Sequence, residues 1–249
     1  MEPPLYPPPP SDPSRPDSQG PVCWVTPRHL AGDDGALAEQ VGDALTALDW
    51  RVWPTARNTL LYVSPDGSCG AEWLLASNPF ELGGLPVSWQ VSARSGTDSV
   101  MVEWNAYFTV GVPYEALTDF LLALDARTVP DVGFDGPDVV LGELGARGWF
   151  RDADRPHAAA FDPSFSASIS LELLPPLGQD ADPRPDRLGW QAWAELGLRD
   201  PYLWCASFSA SVPHDLVAVF ASSVASPGPV PRHTLPAGAE DRLRILRRN

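Results

Sequence analysis

The sequence predicts an α+β fold built as a tandem duplication of one unit: a helix, an antiparallel sheet of about four strands, and a closing helix. Three observations carry that expectation. First, "EWNAYFTVGVPYEALTDFLLAL" from Glu103 and "LWCASFSASVPHDLVAVFASSV" from Leu203 share six residues at a constant offset of one hundred: Trp104, Ala106, Phe108, Val112, Pro113 and Phe120 recur as Trp204, Ala206, Phe208, Val212, Pro213 and Phe220. Second, three other blocks recur in the same order: "SWQVSA" at Ser88 with "GWQAWA" at Gly189, "YVSPDGS" at Tyr62 with "AFDPSFS" at Ala160, and "LTALDWRV" at Leu45 with "LGARGWFR" at Leu144. Third, within each repeat the apolar spacing passes from helical to alternating and back, the pattern of helices that cover one face of an antiparallel sheet.

Taken in order, residues 1–21 hold nine prolines. They cannot form a helix or a sheet interior and read as a disordered arm of polyproline II character, either a solvated leader or a ligand for an aromatic groove. Residues 22–127 form the first repeat. In "DDGALAEQVGDALTALDW", Leu37, Val41, Leu45 and Leu48 fall on one helical face, with Asp33 or Asp34 as the expected cap. The strands "TLLYV", "CGAEWLLA", "VSWQVSA" and "VMVEWNAYFTV" follow, the first two joined by the turn "SPDG". In the last, Val100, Val102, Trp104, Ala106 and Phe108 share one face, and Asn105 and Tyr107 lie on the other. A helix opened by proline closes each repeat, with Leu117, Phe120, Leu121 and Leu124 as its stripe in the first and Val217, Phe220 and Val224 in the second. Residues 128–227 are the second repeat, and residues 228–249 an Arg-rich tail.

The pattern "WVTPRHLAGDD", then "LYVSPDGS", then a W-x-A-x-F strand with its proline-opened helix resembles the SPDY family, a bacterial domain of unknown function usually found as tandem copies. The resemblance covers roughly residues 22–227. The second repeat departs from it, with "DPSF" at Asp162 to Phe165 in place of "SPDG", and "PRHLAG" is clear only in the first. The resemblance implies no catalytic residues.

Composition bounds the function. The chain has 249 residues, 44% of them hydrophobic and 20% charged, which is globular. Its net charge is −15, and all 17 basic residues are arginine, a composition that fits GC-rich bacterial coding. Such a charge repels nucleic-acid phosphate unless the arginines are segregated. Some are: from Pro231 onward five arginines face two carboxylates, so the tail is at +3. No apolar run long enough to span a membrane and no secretory leader pattern is found, so a cytoplasmic protein that avoids membranes is expected. Three cysteines without a CxxC pair, and no GxGxxG, P-loop or HExxH motif, lead to an expectation of no cofactor and no metal site.

Cys205 and His214 are the one pair resembling a nucleophile and its base. A reactive thiol needs a base within hydrogen-bond reach. Cys205 sits mid-strand, which sets it about 15 Å or more from His214, and the first repeat has Asn105 and Tyr114 in their places. The recurring Trp89, Trp104, Trp190 and Trp204 are either core or base-stacking platforms. Arg28 and His29, beside Asp33 and Asp34, form either a binding loop or a turn leading into the first helix. Arg242, Arg244, Arg247 and Arg248 alternate with apolar residues and read as a short docking helix or a disordered basic end. The expected function is a non-catalytic scaffold or binding protein with an acidic surface for a protein partner. DNA binding through a sheet face and the tail is the alternative, disfavoured by charge, and a cysteine enzyme is a distant third. The candidate binding residues are Arg28, His29, Asn105, Tyr107, Arg242, Arg244, Arg247 and Arg248.

Overall fold

Helical and alternating segments fall in the expected order and assemble into a layer of helices on a sheet. The structure, a computed structural model, describes residues 22–74, 80–94, 101–127, 136–173, 188–198 and 200–246. The chain enters through β1 (Cys23–Thr26) and a 3-10 turn at Arg28–Leu30. The first half then runs α1 (Leu37–Ala47), β2 (Arg51–Pro54), β3 (Leu60–Val63), β4 (Cys69–Trp73), β5 (Glu81–Leu82), β6 (Leu85–Arg94), β7 (Val102–Thr109) and α2 (Tyr114–Asp125). The second half runs α3 (Asp138–Ala146), β8 (Phe150–Arg151), β9 (Ala159–Phe161), β10 (Ala167–Glu172), β11 (Gly189–Glu195), β12 (Tyr202–Phe208) and α4 (His214–Val224). The chain closes with β13 (Val230–Arg232) and β14 (Arg244–Leu246). The class is α+β. Beyond the expected strands the first half has β2 and the two-residue β5, and the second half has β8; the edge strands β2 and β8 each follow a buried tryptophan (Trp50, Trp149).

The helices bury the stripes their spacing predicts: Leu37, Val41 and Leu45 in α1; Leu117, Phe120, Leu121 and Leu124 in α2; Val217, Phe220 and Val224 in α4. Pro113 and Pro213 immediately precede the closing helices. The expected cap of α1 is corrected. Its N-cap is Ala36, with no side-chain bond, because Asp34 and Gly35 take positive φ and push the helix start beyond both aspartates.

All strands of the main sheet pair antiparallel, in the order β2-β3-β4-β6-β7-β12-β11-β10-β9-β8, with β5 folded onto β6. The halves therefore share one sheet, joined where β7 meets β12. There Phe108 lies opposite Ala206, Tyr107 opposite Ser207, and Ala106 opposite Phe208. Since Ala106 and Phe108 correspond to Ala206 and Phe208, the pairing is reciprocal, as across a two-fold axis running between Tyr107 and Ser207. Side chains extend the ladder at both ends. The Thr109 hydroxyl accepts from the Cys205 N–H (2.8 Å) and donates to the Cys205 carbonyl (3.1 Å). At the other end the Ser209 hydroxyl accepts from the Asn105 N–H (3.1 Å), and the Ser209 N–H donates to the Asn105 carbonyl (2.9 Å).

Beneath this join, Phe108, Phe120, Phe208 and Phe220 pack around the same axis. Phe108 lies 5.5 Å from Phe208, Phe108–Phe220 and Phe120–Phe208 are both 5.6 Å, and Phe108–Phe120 and Phe208–Phe220 are 5.6 and 5.2 Å. Trp104 meets Phe120 edge-on at 6.3 Å, as Trp204 meets Phe220 at 6.2 Å. The four phenylalanines are fully buried, and truncating any one to alanine costs about 3–5 kcal/mol. Helix α2 packs on α4, with α1 beside α2 and α3 beside α4. One hydrophobic core runs through both halves.

The termini are tied together. β1 lies between β13 and β14, with Val25 opposite both Val230 and Ile245. The described part of the tail ends as a strand, neither the docking helix nor the disordered end that the sequence suggested, because Arg244–Leu246 completes the ladder of β1. The Pro-rich arm, Val100, Arg247 and Arg248 lie outside the described residues.

Candidate functional site

Cys205 and His214 do not form a pair. Cys205 is buried under the turn at Gly83, where a Cβ would stand 2.6 Å from its Sγ and where φ is +61°. Burial pushes the thiol up to about 12, the opposite of what a nucleophile requires. Opposite Cys205 in the ladder is Trp193. His214 instead packs edge-on against Trp190 at 5.8 Å, and Trp190 is of the other parity, on the helix-covered face. The sheet separates the two side chains.

The motif "PRHLAGDD" of the first half lands on the second. The Arg28 guanidinium donates to the Ser223 carbonyl (3.1 Å) and hydroxyl (2.8 Å) at the end of α4, and Ser223 donates to Asp119 of α2 (2.5 Å). His29 is buried, with Nε2 3.0 Å from the Ser166 hydroxyl and 3.7 Å from the Asp162 carboxylate, and its ring set edge-on to Trp149. Its carbonyl accepts the Trp204 indole N–H at 2.8 Å. Burial lowers the His29 pKa to about 4, against the pull of Asp162. Burial also tends to raise Asp162, but hydrogen bonds from Ser164, the neighbouring His29 and the Ala167 N–H hold it below the usual carboxylate range. His29, Asp162 and Ser166 are all buried in this joint. Its residues fasten the two halves.

The "DPSF" turn has the geometry of "SPDG" despite its different residues. Ser64 N–H bonds the Cys69 carbonyl at 3.0 Å and Asp162 N–H the Ala167 carbonyl at 3.1 Å, with Gly67 and Phe165 both at positive φ. Carboxylate and hydroxyl have exchanged places. Asp66 sits two residues into the first turn, held low by the Ser64 hydroxyl and the Ser68 amide and hydroxyl. In the second turn the carboxylate is the opening residue, where it caps the Ala167 N–H (2.6 Å) and faces His29.

Sequence reading missed the most buried charge, Arg232. Its side chain is fully buried, with a two-pronged ion pair to Glu115 (2.7 Å each), Nε bonds to the Ala31 and Gly32 carbonyls (3.2 and 3.1 Å), and the Tyr114 ring 4.8 Å away. A second cross-half pair joins Arg127 to Asp215. Glu115 and Asp215 are counterparts at the offset of one hundred, each in the first turn of a closing helix, where the dipole favours a carboxylate. That recurrence was the available signal. Asp34 accepts from the backbone N–H groups of His233 and Thr234 (2.7 and 2.5 Å), so it anchors the tail. Beside it, a cavity of about 230 Å³ is lined by Gly32, Asp33, Gly111, Leu203 and Leu235.

The other candidates are dispersed. Asn105 accepts from the Gln90 amide (3.1 Å) and Tyr107 meets the Phe80 ring at a tilt of 56°, centroids 5.1 Å apart, both on the face away from the helices. Arg242 bonds the Leu196 carbonyl and Arg244 is exposed in β14. The four recurring tryptophans are core: Trp89, Trp104, Trp190 and Trp204 are all buried.

The helical layer is rich in carboxylates. α1 to α4 contain eight carboxylates (Glu39, Asp43, Glu115, Asp119, Asp125, Asp138, Glu143 and Asp215) and no arginine or lysine. Arginines from outside the helices meet Glu115, Asp119, Asp138 and Asp215. Glu39, Asp43 and Glu143 are exposed, and Asp125 accepts the Trp50 indole N–H. Among the described residues no three His, Cys, Asp or Glu side chains gather as a metal site, and no helix is long and apolar enough to cross a membrane.

The SPDY family model, a domain of unknown function (DUF317), matches residues 63–130 and 175–230, consistent with two copies. The chain belongs to the SPDY family. The first SPDY segment takes in β4 to α2 and the second β11 to α4. The join of β7 with β12, the aromatic cluster and the acidic pair Glu115 and Asp215 therefore all lie within SPDY segments. The His29 joint and Arg232 lie outside them. No curated protein and no solved structure matches the chain.

Proposed function

We propose that this chain is a non-catalytic cytoplasmic binding protein whose helical layer receives a basic protein partner. The observation that carries the reading is the charge of that layer: four helices with eight carboxylates and no arginine or lysine, set on a single continuous sheet. Excess like charge on one face draws and orients a partner of opposite charge and repels phosphate. The arginines support it from the other side. Arg28, Arg127, Arg151, Arg155 and Arg232 are held by the chain's own carboxylates, and Arg147 and Arg242 by Ser222 and the Leu196 carbonyl. A phosphate backbone would have to compete for them.

The test compares the chain with a Glu39→Lys/Asp43→Lys/Glu143→Lys variant as bait in extract of the source cells, alongside a DNA titration. The expected result is one stoichiometric basic protein, retained at about 50 mM salt, released as screening shortens toward about 0.5 M, and missed by the variant. Capture indifferent to the charge reversal overturns the reading. Salt-dependent DNA binding by the unmodified chain would put the nucleic-acid reading in its place.

A further inference from the structure

We propose that the β7–β12 seam is a self-complementary docking surface that takes a second copy of this chain, two chains exchanging halves so that β7 of each pairs with β12 of the other. The seam is reciprocal in its ladder, with Phe108 opposite Ala206 and Ala106 opposite Phe208, and in its rings, with the Phe108–Phe220 and Phe120–Phe208 distances both 5.6 Å. A surface of this kind is satisfied by any chain that carries the other half.

The remaining contacts between halves obey the same rule. Arg28 with Ser223, His29 with Ser166, Arg127 with Asp215, Arg232 with Glu115, and β1 between β13 and β14 each join one half to the other. Each is remade unchanged when the other half comes from a neighbouring chain. Only the connection beyond Arg127, up to Asp138, has to take a new course, and its roughly ten residues span up to about 35 Å when extended. Monomer and exchanged dimer thus differ chiefly in the entropy of association. A short tether holds its partner at an effective concentration on the order of millimolar, so exchange grows as folding takes place nearer that concentration.

Two chains make the exchange selective. Glu115→Arg leaves two guanidinium groups opposed within its own chain, and Arg232→Glu leaves two carboxylates opposed. In a mixed exchanged dimer both sites are again of opposite charge. Each variant is refolded alone and in an equimolar mixture at about 100 µM, and species are weighed by native mass spectrometry. The expected result is a dimer holding one chain of each kind, abundant in the mixture and at least tenfold rarer for either variant alone. A mixture that merely adds the two separate results overturns the proposal.

Should the reversed charges not fold, a second experiment decides. Tyr107→Cys/Ser207→Cys chains, half of them ¹⁵N-labelled, are co-refolded between about 1 and 500 µM and oxidised. Disulfides between positions 107 and 207 that mix heavy and light chains, rising with concentration, are the expected outcome. Disulfides confined to one label at every concentration contradict the exchange.

Discussion

Removing either partner of the Arg232–Glu115 pair destabilises the chain, and the structure ranks the two losses. Glu115→Ala leaves a guanidinium with no exposed surface, the backbone carbonyls of Ala31, Gly32 and Pro231 and the Tyr114 ring for company, and no counter-charge. An uncompensated buried charge of this kind costs about 3–5 kcal/mol. Arg232→Met removes the charge and fills most of the volume. The carboxylate left behind has 18% of its side chain exposed and sits in the first turn of α2, so water and the helix dipole recover part of the loss. A cost of about 1–3 kcal/mol is expected there, from charge-assisted bonds lost and apolar packing kept. Urea unfolding followed by tryptophan fluorescence measures both. The reasoning is refuted if Arg232→Met costs as much as Glu115→Ala, or if neither moves the midpoint beyond error.

His29 has its pKa lowered from 6.5 to about 4 by burial, so the unfolded chain takes up this proton first as the solution is acidified. Its contribution is therefore whole above pH 6.5 and about 3 kcal/mol is lost by pH 4; His29→Gln should remove that difference between unfolding curves at pH 7 and 4.5, and an unchanged difference would count against the joint. Phe108→Ala and Phe208→Ala, with matching ring neighbours, should each cost about 3–5 kcal/mol and agree within about 1 kcal/mol in urea titrations; costs that diverge by more would break the two-fold account. Cys205, pushed up to about 12, should take iodoacetamide at pH 8 about a thousandfold more slowly than an ordinary thiol while the chain is folded, and labelling at the rate seen in urea would show that the Gly83 turn does not cover it.

The residues most legible in sequence are those whose type the packing dictates. Ala106, Phe108 and Phe120 recur as Ala206, Phe208 and Phe220 because a small residue must face a ring across the seam and a ring must fill the space below. The seam itself was hidden. Of the groups that extend it, Ser209 and Thr109 use their hydroxyls, whereas Asn105 and Cys205 act through the backbone, which leaves their side-chain type free to drift. The same freedom made Cys205 look chemical. His29 was noticed, but its destination was not, since Ser166 lies 137 residues away and no local pattern encodes that contact. β14 is only three residues, Arg244, Ile245 and Leu246, a length at which helix and strand read alike. Arg232 announced nothing: one arginine in a basic tail, distinguished only by the acidic residue repeated in both closing helices.

The two SPDY segments share one core and one sheet, so they are expected to fold as a single unit beneath the carboxylate-rich helices. Scanning calorimetry of the whole chain tests it most directly. One shared core and a ladder closed across β7 and β12 predict one transition whose calorimetric and van't Hoff enthalpies agree, a ratio of about 1. Two resolved transitions, or a calorimetric enthalpy about twice the van't Hoff value, would contradict it.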